Sequence, residues 1–118
     1  MKGKILIVDD EPTIVSVFKR YFEALGYEVR GSRNAEEAIA LADKESFDFI
    51  FLDHLLPGMS GLRALPKLSR RRKTPVFLIT GHYDDELKKD ARHMGAAGVF
   101  EKPLDFEALA KRLAKPVP

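Results

Sequence analysis

Four apolar runs in this sequence end in residues that carry charge or a hydroxyl. Asp53 closes Phe49-Ile50-Phe51-Leu52 and is followed by the turn residues Leu56-Pro57-Gly58. Lys4-Ile5-Leu6-Ile7-Val8 leads into Asp9-Asp10, and Val99-Phe100 leads into Glu101-Lys102-Pro103. Pro75-Val76-Phe77-Leu78-Ile79 ends at Thr80. A carboxylate at the tip of a buried strand is costly to desolvate unless other charges or a metal compensate it. Acids brought together with one ammonium group would give that compensation, so these ends read as one charged site.

The elements that must bring them together alternate strand and helix. Residues 4–8 read as a first strand. Pro12 suits the first turn of a helix, where its missing N–H would be unpaired in any case. Ile14, Val17, Phe18, Tyr21, Phe22 and Leu25 follow at helical spacing, and Gly26 ends the helix. Tyr27-Glu28-Val29 suggests a short second strand, and Asn34 caps a helix over 35–44 with Ala38, Ile39 and Ala42 inward. Residues 47–52 form a third strand, apolar on both faces and therefore central. A third helix follows Gly61 with Leu62, Leu65 and Leu68 on one face, and Pro66 predicts a kink or a late start. Residues 75–80 are the fourth strand. A helix over 84–94 carries Leu87, Ala91 and Met94. Residues 97–101 are the fifth strand, and a last helix buries Phe106, Leu109, Ala110 and Leu113. The pattern predicts an α/β domain, a five-stranded parallel sheet with helices on both faces. In such folds ligands bind outside the carboxyl ends of the strands, where Asp9, Asp10, Asp53, Thr80 and Lys102 all fall.

Composition limits the alternatives. The 118 residues suit one compact domain, 45% apolar and 32% charged, with no internal repeat or low-complexity segment. No apolar run approaches the ~20 residues needed to cross a bilayer, and the first residues do not read as a signal peptide. The absence of cysteine removes disulfides, thiolate nucleophiles and cysteine zinc sites. A net charge of +2 is small for a nucleic-acid or membrane binder. The basic run Arg70-Arg71-Arg72-Lys73 reads as a solvated loop and lacks interleaved aromatics. A cytoplasmic setting fits these features. Residues 1–115 form the expected domain, with 116–118 a tail or the start of a truncated linker.

Val8-Asp9-Asp10-Glu11, Asp53 followed by Leu56-Pro57-Gly58-Met59-Ser60-Gly61, Thr80-Gly81 and Lys102-Pro103 resemble, in this order and at these intervals, the receiver domain of two-component response regulators. The likeness is to chemotaxis-regulator-like receivers and covers essentially the whole chain. It implies a doubly wound, flavodoxin-like fold with strand order 2-1-3-4-5. It also implies that Asp53 is a phosphoacceptor, served by a phosphohistidine on a sensor histidine kinase or a histidine phosphotransfer protein. By the same resemblance Asp9, Asp10, Asp53 and the backbone carbonyl of Leu55 would hold Mg²⁺, an ion that prefers oxygen ligands and retained waters. Lys102 would pair with the phosphoryl group, Thr80 would move to donate its hydroxyl, and Lys102-Pro103 would be cis. Further expectations are an output domain or effector protein and a homodimer through the fourth helix, fifth strand and fifth helix. That face contains Lys88, Lys89, Arg92, Glu101 and Arg112. Direct nucleic-acid binding and membrane association are not expected of this domain.

Where receivers usually carry an aromatic residue, three before the lysine, this chain has Val99. A short β-branched side chain has little to swing, and Phe100 points to the opposite face. Leu55 is expected to shield the phosphoryl group, and His82 to orient or hinder water. His54 and His93 read as surface or partner-facing residues, and His54, His82 and His93 form no metal cluster by spacing. Two other readings remain: a pseudo-receiver that binds partners without phosphorylation, and a small phosphatase with an aspartate nucleophile. The second lacks an acid two residues after Asp53, where Leu55 stands.

Overall fold

In the computed structural model, which describes residues 2–69 and 73–115, strands and helices alternate from end to end. They are β1 (Gly3–Val8), α1 (Pro12–Ala24), β2 (Tyr27–Ser32), α2 (Ala35–Lys44), β3 (Phe49–Asp53), α3 (Gly61–Ser69), β4 (Val76–Thr80), α4 (Asp85–His93), β5 (Gly98–Glu101) and α5 (Phe106–Leu113). All strand pairings are parallel, in the order β2-β1-β3-β4-β5. The chain moves outward from β1 to β2, then returns past β1 to β3. That reversal leaves a crevice between the carboxyl ends of β1 and β3.

Side-chain alternation divides the core into two layers. Ile5, Ile7, Phe51, Phe77 and Ile79 pack with Phe18 and Phe22 of α1 and with Leu109 and Leu113 of α5. Leu6, Val8, Ile50, Leu52, Val76 and Leu78 pack against α2, α3 and α4 through Ala38, Leu65, Leu68, Leu87 and Ala91. Val99 joins the second layer and Phe100 the first, so the two residues do face opposite sides of β5.

Local signals place several helix starts. Asn34 accepts a hydrogen bond from the Glu37 N–H at 2.8 Å, Asp84 from Leu87 at 2.7 Å and Asp105 from Ala108 at 3.1 Å. These side chains satisfy donors that the first helical turn leaves unpaired. Four details differ from the sequence-based expectation. β2 continues to Ser32 because Arg30, Gly31 and Ser32 stay in register with Leu6, Ile7 and Val8. β3 begins at Phe49, with Phe47 already buried ahead of it. Pro66 lies inside α3 without delaying its start, and the Ser60 hydroxyl accepts from the Arg63 N–H at 3.3 Å. Val17 and Met94, counted on apolar helical patterns, are 46% and 42% exposed. The predictions for Arg70-Arg71-Arg72 and for 116–118 lie outside the described residues. No helix among the described residues is long and apolar enough to cross a membrane.

Candidate functional site

The crevice beside β1 and β3 collects acids. Asp9 follows β1 and is fully buried, whereas Asp53, the last residue of β3, is 4% exposed. Asp10 is exposed at the rim. Carboxylate oxygens of Asp9, Asp10 and Asp53 lie within 4.8 Å of one another. Lys102, just past β5, reaches into the group: its Nζ is 2.9 Å from Asp9 Oδ2 and 3.3 Å from Asp53 Oδ2. Glu11, largely exposed, is 3.6 Å from the same ammonium, and a pair that open to water adds little. The Lys102 N–H donates to the Thr80 carbonyl at 2.8 Å, and the Lys102–Pro103 peptide is cis.

Backbone donors hold the carboxylates in place. Asp9 Oδ1 accepts from the Glu11 N–H at 3.0 Å, and Asp53 Oδ1 accepts from the Leu55 N–H at a long 3.4 Å. Asp9 Oδ2 has Lys102 as an ionic neighbour but no aligned hydrogen-bond donor among the described residues. Burial, then the charge of Asp9, pushes the Asp53 pKa up to about 6 against the opposing pull of Lys102. Burial would lower the Lys102 pKa, but the carboxylates of Asp9 and Asp53 beside it outweigh that and raise it. Three acids against one ammonium leave the crevice negative at neutral pH. A buried carboxylate oxygen with an ionic neighbour but no aligned donor among the described residues, in an all-oxygen set of carboxylates, fits a hard divalent cation.

Thr80 ends β4 fully buried, yet its hydroxyl turns to neither Asp53 nor Lys102 among the described residues. It accepts from the His82 N–H at 3.0 Å and lies 3.3 Å from His54 Nδ1. This corrects the surface reading of His54, which is half-buried. Burial, reinforced by His82 and opposed by Asp84, lowers its pKa. Only strand register would have revealed the contact, because Asp53 pairs with Ile79 and so places their successors side by side. His82 and Leu55 are exposed near this end of the sheet; His93, the last residue of α4, is exposed as well.

Gly61 is a second residue whose part was not apparent. A Cβ there would meet the Asp53 carbonyl oxygen at 2.1 Å, so its missing side chain lets α3 close onto the end of β3.

Known proteins share this fold. The family model described as response regulator receiver domain matches residues 5–114. The transcriptional regulatory protein SrrA of Staphylococcus aureus is 33% identical over 113 residues, covering 96% of this chain and 47% of SrrA. The chain thus spans about half the length of that relative. Among solved structures, Vibrio cholerae chemotaxis protein CheY4 superposes with TM-score 0.88 at 32% identity, over 94% of this chain and 95% of that one. A Burkholderia pseudomallei response regulator carrying a phosphorylated aspartic acid and a calcium ion gives TM-score 0.89 at 29% identity, over 95% and 66% of the two chains. This chain belongs to the response regulator receiver domains of two-component signal transduction.

Proposed function

We propose that Asp53 accepts a phosphoryl group from a phosphohistidine and that the modified domain changes its binding to an output domain or effector. The donor is a sensor histidine kinase or a histidine phosphotransfer protein, and the setting is cytoplasmic. An Asp53 carboxylate oxygen attacks phosphorus; the new O–P bond forms as the N–P bond breaks, and the leaving imidazole takes up a proton. With its pKa near 6 the carboxylate is mostly ionised at neutral pH, as attack requires.

Asp9, Asp10, Asp53 and the Leu55 carbonyl would hold Mg²⁺, whose chemistry is to neutralise charge on the phosphoryl oxygens. Lys102, already 3.3 Å from Asp53 Oδ2, supplies a fixed positive charge beside the transferred group. Burial of Asp9 and Asp53 keeps bulk water from solvating the reacting carboxylate. The domain acts as a switch that catalyses its own modification and its reversal, with no separate substrate turned over.

The observation that carries this reading is one ammonium bridging two buried carboxylates inside a three-acid cluster. The phosphorylated aspartic acid in the Burkholderia relative supports it. Intact mass after incubation with acetyl phosphate and Mg²⁺ tests it. One added phosphate is expected in the wild type, absent in Asp53→Asn and abolished by chelator. A folded protein that gains no mass would instead favour a phosphorylation-independent binding module.

A further inference from the structure

We infer that His54 holds the Thr80 hydroxyl in the resting domain and competes with the phosphoryl group for it. The inference rests on the reading of Asp53 as phosphoacceptor. By alternation along the paired strands, Asp53 continues the face of Phe51 and Ile79, whereas His54 and Thr80 continue that of Leu52 and Leu78. The two residues therefore meet beside the site, where Nδ1 of one faces Oγ1 of the other.

His54 is anchored on both sides of its backbone. Its N–H donates to the Ile79 carbonyl at 2.9 Å, and its own carbonyl accepts from the Gly61 N–H at 3.0 Å. With the chain fixed there, the ring stands with Nδ1 3.3 Å from Thr80 Oγ1. A threonine hydroxyl has one proton to donate and two lone pairs. The His82 N–H occupies one lone pair. Assigning the ring proton to Nε2 leaves Nδ1 as an acceptor for the hydroxyl's single proton. A phosphoryl oxygen is also purely an acceptor and needs that same proton. Thr80 must then release His54 before it can serve the phosphoryl group, which makes His54 a positioning residue that favours the resting state.

The test is binding of beryllium trifluoride, a phosphoryl mimic that adds to an aspartate, with Mg²⁺, followed by calorimetry or amide NMR. The chains compared are wild type, His54→Phe and His54→Asn, each with Thr80 and with Thr80→Val. His54→Phe keeps a ring but removes the acceptor, and should tighten binding about 2- to 10-fold, the span of one neutral hydrogen bond. His54→Asn restores a polar atom near the Nδ1 position and should return affinity towards wild type. In the Thr80→Val background the His54→Phe effect should vanish. Unchanged or weaker binding by His54→Phe overturns the inference, as does equal tightening in both backgrounds. Failure of the wild type to bind the mimic would overturn the phosphoacceptor reading and this inference with it.

Discussion

The carbonyl oxygen of Asp53 lies 2.1 Å from where a Cβ on Gly61 would sit, so α3 starts against the backbone that carries the central carboxylate. The Asp53 carbonyl carbon and the His54 Cα would also fall within 3.0 Å of that Cβ. These are backbone atoms, and His54 is hydrogen-bonded on both sides, to Ile79 and to Gly61 itself. No flexible side chain is there to give way. Gly61→Ala should therefore cost about 2–3 kcal/mol by forced displacement of packed backbone. It should also slow phosphorylation by acetyl phosphate, because the displaced atoms belong to Asp53. Urea unfolding measures the first effect and intact mass the second. A loss within about 0.5 kcal/mol, the range of an ordinary surface substitution, would rule out this packing account.

Asp53 also makes metal-free stability depend on pH. Its folded pKa of about 6 exceeds the ~3.9 of an unfolded aspartate. Between those values the folded chain holds a proton that the unfolded chain has released, so stability falls as pH rises through the window. Above it the full penalty persists, bounded near 3 kcal/mol by the two-unit difference and reduced by the charge shared with Asp9 and Lys102. Asp53→Asn removes the charge but keeps the shape. In chelator it should stabilise the domain by about 1–2 kcal/mol at a pH of about 7.5, and by less at about 4.5. Urea midpoints at the two pH values decide the matter. An equal gain at both would assign the effect to shape rather than charge.

Lys102 is the counterpart of that penalty. Replacing it by methionine keeps the apolar stem and leaves Asp9 and Asp53 buried without their cation. Removing one partner of a buried ion pair exposes the desolvation cost of the other, here about 2–4 kcal/mol near pH 7.5. The cost should shrink as pH falls towards about 6, because without Lys102 to hold its pKa down Asp53 takes up its proton at a higher pH than in the wild type. Saturating Mg²⁺ should recover part of it, because an ion that binds only the folded chain stabilises by mass action. Thermal unfolding of Lys102→Met with and without Mg²⁺ checks both points. A variant as stable as wild type at neutral pH would mean that Lys102 does not neutralise these acids.

The charged half of the site is readable from sequence because acids and a lysine that directly follow apolar runs must lie where strands end. Parallel strands point those ends the same way, which brings Asp9, Asp53, Thr80 and Lys102 together. Asn34 was equally legible, since its side chain caps a helix whose bounds agree with the prediction. Features that depend on a neighbouring strand were not legible. β2 extends through Arg30 and Gly31 because β1 lies beside it, although glycine is a weak strand former. His54 meets Thr80 only through the pairing of β3 with β4, and Gly61 matters only because α3 folds back onto β3. Val17 shows the opposite failure: helical spacing marks it as apolar, but nothing in a single sequence says that the core stops short of it.

The lifetime of the phosphorylated state should depend on Leu55. Its N–H lies 3.4 Å from Asp53 Oδ1, while the residue is 59% exposed. The residue is thus tied to the Asp53 carboxylate by its backbone and presents an apolar branch to the solvent that would deliver a hydrolytic water. Leu55→Asn replaces that branch with a group that hydrogen-bonds water, so the acyl phosphate should decay severalfold faster. His82 differs in kind, because its link to Thr80 runs through the backbone N–H, which His82→Ala leaves in place. Any change in that variant reports on the imidazole alone, and the expected change is in decay rather than in the extent of phosphorylation. Decay of the phosphorylated mass after removal of acetyl phosphate distinguishes the two positions. Identical half-lives in wild type, Leu55→Asn and His82→Ala would show that neither side chain controls access of water to Asp53.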